Sequence, residues 1–94
     1  MRDPLKDKRN KIDAIDNLLA GLLAERLSVA ASMTGLKKKV RDSARETSVL
    51  RHAAGLVKNR ELRPAVLAVY RELIKQGRRL QQAAKRPGGL KPSA

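Results

Sequence analysis

From Ile12 to Leu36, eight residues recur at alternating steps of three and four: Ile12, Ile15, Leu19, Leu22, Arg26, Val29, Met33 and Leu36. That spacing places all eight on one face of a helix, in the manner of a coiled-coil seam. Good helix formers surround the seam from about Leu5 to about Lys38, interrupted by Gly21 and Gly35, and Pro4 suits a first helical turn. A helix of about 34 residues is about 50 Å long. The 94 residues of the whole chain, packed into one globule, would have a radius of gyration of only about 12 Å. The helix would therefore outrun its companions and leave its seam in water. A second copy of the chain, with the long helices side by side, is the economical way to bury it.

One member of the seam is charged. Arg26 stands where the pattern calls for an apolar residue, and a charge in a buried stripe costs several kcal/mol unless something pairs with it. Either the seam is wet at that point or a negative group meets Arg26 there.

Two further helices follow. The second is expected from "DSARE", where Ser43 and Glu46 have the spacing of a capping box. It continues through Val49, Leu50, Ala53, Leu56 and Val57. The third starts at Pro64 and carries Val66, Tyr70, Leu73, Gly77, Leu80 and Gln81 along one stripe. No strand-like alternation and no internal repeat is present. The fold class expected is all-α, with a long, a short and a medium helix per chain in an intertwined homodimer. One domain spans residues 1–84. Residues 85–94, "KRPGGLKPSA", read as a disordered basic tail or linker.

Composition removes several kinds of chemistry. Cysteine is absent, so disulfides and thiolate catalysis are excluded, and the lone His52 rules out a histidine-rich metal site or a catalytic triad. No apolar run approaches the ~18 residues of a membrane span. The start of the chain lacks an apolar signal core, so a cytoplasmic location is expected. The 22 basic residues against 9 acidic ones leave a net charge of +13, which points to an anionic partner.

The candidate residues are mostly cations. Arg26 and Lys37 are eleven residues apart, about 20° beyond three full turns, so on one continuous helix they would share a face. Arg9 lies seventeen residues before Arg26, about 25 Å along the axis, too far to hold the same small ligand unless helices of two chains cross. Arg45 and Glu46 fall in the first turn of the second helix, where Glu46 also suits a capping role. On the third, Gly77 and Gln81 sit one turn apart on the apolar stripe. A buried Gln needs partners, and a mid-helix Gly suggests close approach. Several cations, one carboxylate and one amide suit a small dianion whose reaction needs positioning and charge stabilisation.

The order of these residues resembles the all-helical, AroQ-type chorismate mutases. The likeness runs from about Leu5 to Ala84, through "RNKIDAIDNLLAGLLAER", "GLKKKVRDSARE" and "LRPAVLAVYRELIKQGRRLQQ". Its most specific part is the opening Arg9, Ile12, Asp13, Ile15, Asp16. The resemblance implies an intertwined three-helix dimer that rearranges chorismate to prephenate, in phenylalanine and tyrosine biosynthesis, without metal or organic cofactor. It implies that Arg9 crosses into the partner's site and binds a substrate carboxylate, and that Arg26 binds a carboxylate within its own site. Lys37 and Gln81 would donate to the ether oxygen. Glu46 and the backbone at Asp42 would hold the ring hydroxyl, and Arg45 would add positive field.

Three departures from the family pattern stand out. Gly77 replaces a serine that helps bind a carboxylate in many members, the segment from Lys37 to Asp42 is shorter than in many relatives, and Arg63 stands before Pro64 where an Asp cap is common. Related enzymes act on amino-deoxychorismate or isochorismate, which the sequence separates poorly from chorismate. A reading from another class, a basic helical nucleic-acid-binding protein, accounts for the charge but finds no stacking aromatics.

Overall fold

The structure is a computed structural model that describes residues 2–36 and 41–85. It contains three α-helices: α1 (Pro4–Ser32), α2 (Ser43–Leu56) and α3 (Arg63–Lys85). A single 3-10 turn, Arg60–Leu62, leads into α3, and the described residues include no strand. The chain is all-α, as expected. The last residues, 86–94, lie outside the described part, and the expected tail with them.

The helix ends follow local chemistry that the pattern of apolar residues does not carry. Asp3 caps α1, its carboxylate accepting from the backbone N–H of Leu5 at 3.1 Å and of Lys6 at 3.2 Å, with Pro4 at the first helical position. At the other end α1 stops at Ser32, short of the expected Lys38. The Ser32 and Thr34 hydroxyls donate to the carbonyls of Val29 and Ala31, and Gly35 takes φ +89, a conformation that ends a helix and favours glycine. The continuous helix on which Arg26 and Lys37 would share a face is thus not present beyond Ser32, and Lys37 itself lies outside the described residues.

The start of α2 also differs from the expectation. Asp42, not Ser43, is the cap: its carboxylate accepts from the Arg45 N–H at 3.0 Å, and its carbonyl accepts from the Glu46 N–H at 2.9 Å. Glu46 is released from the capping box. The start of α3 needs no Asp at position 63, because Asn59 caps the 3-10 turn through the Glu61 N–H and the chain runs from that turn into α3. Arg63, the first residue of α3, ties the junction down by donating from Nε to the Val57 carbonyl at 2.8 Å.

α3 packs against both α1 and α2. Its stripe of Leu73, Gly77 and Gln81, at steps of four, is buried. α1 and α3 run in the same direction, since Tyr70 lies beside Arg26, Gly77 beside Ala30, and Gln81 beside Ala30 and Thr34. All of those contacts fall at the C-terminal end of α1. Every residue from Lys8 to Leu22 is exposed, including Ile12, Ile15, Leu18, Leu19 and Leu22. The outcome is an elongated chain, 58 × 31 × 14 Å, with a radius of gyration of 16.7 Å. That is well above the ~12 Å of a compact chain of this length.

Candidate active site

Where the C-terminal end of α1, the first turns of α2 and the second half of α3 converge, they line an open cavity of about 260 Å³. Six of the residues singled out in the sequence line it: Arg26, Asp42, Arg45, Glu46, Gly77 and Gln81. They come from three separate helices, so the fold brings together what the sequence spreads over fifty-five positions. Val29, Met33, Val49 and Ile74 supply apolar wall between them. Lys37 lies outside the described residues. Arg9 is exposed near the far end of α1 and does not line the cavity of its own chain.

Gln81 is the most enclosed polar side chain, 5% exposed. Its Nε2 donates to the Ala30 carbonyl at 2.8 Å, which orients the amide and ties α3 to α1. Such an anchor is what a buried amide requires. Gly77 is buried one turn earlier. A Cβ built on it would meet the Ala30 Cβ at 3.5 Å, ordinary van der Waals contact. Ala30 packs over Gly77 but leaves room for a methyl-sized group, so the close approach expected from a mid-helix glycine is not what requires it here.

Arg26 is half-buried, and its guanidinium lies 5.8 Å from the centroid of the Tyr70 ring. A ring face attracts a cation by about 0.5–1 kcal/mol at a part-exposed site. The seam charge therefore has a partner of its own on α3, while Arg26 also lines the cavity.

Arg78 was not picked out in the sequence. It lines the cavity from α3 between Gly77 and Gln81, and its Nε stands 3.7 Å from Glu46 Oε2. The other carboxylate oxygen of Glu46 stands 3.8 Å from Arg41 Nε. The available signal was its spacing of three from Gln81, which puts both on nearly the same helical face. The lining thus sets three arginines, Arg26, Arg45 and Arg78, against two carboxylates, and one of those, Asp42, is committed to capping α2.

An all-helical chain with an arginine-lined cavity, one buried amide and apolar walls is a receptor for a small anion with an apolar body. The family model for chorismate mutase type II matches residues 8–82, and the chain belongs to that family. It is an isomerase of the chorismate mutase type, of the all-helical AroQ class. No curated protein and no solved structure matches the chain. None of the described helices is long and apolar enough to cross a membrane.

Proposed function

We propose that this chain converts chorismate to prephenate in the cavity between its three helices, within the biosynthesis of phenylalanine and tyrosine, as a cytoplasmic homodimer with shared sites. Residues 1–84 form the catalytic domain. The observation that carries the reading is the convergence of Arg26, Arg45, Glu46 and Gln81 on one cavity from three helices. The test is direct. The purified protein is mixed with chorismate, loss of chorismate absorbance is followed, and the product is identified. Formation of prephenate supports the reading, and an unchanged spectrum refutes it.

The reaction is an electron reorganisation within one molecule: the ether C–O bond breaks as a new C–C bond forms, and no atom enters or leaves. Charge builds on the ether oxygen as its bond stretches. The proposed donors there are Gln81 and Lys37, whose hydrogen bonds strengthen in the transition state. Arg26 and Arg9 of the partner subunit bind the substrate carboxylates, which holds the chain of reacting atoms folded and lowers the entropic part of the barrier. Glu46 accepts from the ring hydroxyl, helped by the backbone at Asp42, and Arg45 adds positive field.

The dimer is supported by the bare face of α1. Five large apolar side chains between Ile12 and Leu22 are exposed in the single chain, and a contiguous apolar face of that kind marks an interface. Two copies of α1 crossing side by side would cover each other's seam and carry Arg9 toward the other chain's cavity.

Two expected outcomes concern single positions. Arg26→Leu should unfold within about 1 kcal/mol of wild type, because only the Tyr70 contact and part of a cavity wall are altered. Its activity should nevertheless collapse. Thermal melts without ligand, read beside the assay, decide this, and a large loss of stability would instead make Arg26 structural. Gly77→Ser should fold, since a Cβ is accommodated, and it should lower KM by restoring a hydroxyl beside a substrate carboxylate. Gly77→Ala is the control: it brings the same Cβ without the hydroxyl, so its KM should not fall.

A further inference from the structure

The two oxygens of Glu46 face different arginines, Arg41 at 3.8 Å and Arg78 at 3.7 Å. Glu46 and Arg78 are the enclosed pair, their side chains 19% and 29% exposed, whereas Arg41 is 66% exposed. Arg78 Nε is buried without a hydrogen-bond partner. Both separations exceed hydrogen-bond length. The arginines therefore balance the charge of the carboxylate without taking its lone pairs, of which a carboxylate offers about four. Arg45 adds a third guanidinium to the lining one residue before Glu46. A group that docks on Glu46 thus meets free acceptor directions inside a region of net positive charge.

That combination discriminates between two ring substituents of similar size. A hydroxyl is neutral and needs only an acceptor. An amine in the same place carries a proton, and so a positive charge, near neutral pH. Beside an unbalanced carboxylate the ammonium would be attracted. Beside one already matched by two guanidinium groups it is repelled, and repulsion of the wrong ligand is an effective route to selectivity. We propose that Arg78, assisted by Arg41, is a specificity-determining residue that makes the Glu46 corner of the cavity accept a ring hydroxyl and reject a ring ammonium. This rests on the reading above in which Glu46 meets the ring substituent.

The test compares kcat/KM for chorismate and for amino-deoxychorismate in the wild type, Arg78→Gln, Arg78→Lys and Arg41→Gln. The wild type should favour chorismate. Arg78→Gln removes the charge and should move the ratio toward the amine about fivefold, the upper range for a part-exposed charge pair. Arg41→Gln, at the more exposed site, should move it in the same direction by less. Arg78→Lys keeps the charge and should keep the wild-type ratio. Taking the ratio within each variant cancels any loss of folded protein. Unchanged ratios in both glutamine variants overturn the proposal, as does a wild type that prefers the amine. A wild type that turns over neither substrate refutes the assignment of the cavity itself, whereas normal turnover of chorismate with unmoved ratios refutes only the role of Arg78.

Discussion

Arg9→Ala and Arg26→Ala proteins, each nearly inactive alone, are expected to regain about a quarter of wild-type activity when unfolded and refolded together in equal amounts. The reason is distance. The two arginines are seventeen residues apart on α1, about 25 Å along its axis, and Arg26 borders the cavity while Arg9 does not. On the shared-site dimer reading, both sites of each variant homodimer lack one arginine. Random pairing makes about half of the dimers mixed, and in a mixed dimer both lesions fall in one site, leaving the other intact. Half of the dimers with half of their sites whole gives the quarter. A sample verified as heterodimeric that stays inactive would place Arg9 within its own chain's chemistry and sink the shared-site architecture.

Lys37→Ala and Gln81→Ala should each lower kcat by about 10²–10³ while changing KM far less, the loss typical of one donor aimed at developing charge. For Gln81 the structure adds a second consequence. Its amide also ties α3 to the Ala30 carbonyl of α1, so Gln81→Ala should melt earlier as well, by about 1 kcal/mol for the hydrogen bond. Rates must therefore be taken well below the melting transition. A raised KM with an intact kcat in either variant would move that residue from the transition state to ground-state binding.

The seam on α1 and the number and order of the helices were legible because a helical period is a local property, repeated often enough to be counted. The ends were not. The periodicity does not separate Gly35, whose positive φ follows the end of α1, from Gly21, which α1 runs straight through. Asp42 and Ser43 are both good caps side by side, and which one caps depends on where the chain turns in. That choice also released Glu46 to face Arg78. Of the six cavity-lining residues named from the sequence, Arg26, Arg45, Glu46, Gly77 and Gln81 stood out by their pattern and Asp42 by the family resemblance, whereas Arg78, in the pair Arg78–Arg79, carried no distinguishing pattern. Its neighbour Arg79 is exposed. Only the packing of α2 on α3 separates the two. The Tyr70 ring beside Arg26 was equally hidden, since it lies forty-four positions away.

Among the described residues the only buried apolar side chains are Ala53 and Leu73. A chain so poor in interior has little of its own to hold it folded, and on the dimer reading most of what it gains comes from the other copy. Folding and assembly then become one bimolecular event, and stability becomes a function of how much protein is present. Dilution acts on such an enzyme as a denaturant does. Each change on the face of α1 is also felt twice, once from each copy, so a conservative replacement at Ile15 or Leu22 weighs on the pair with double its cost in a single chain.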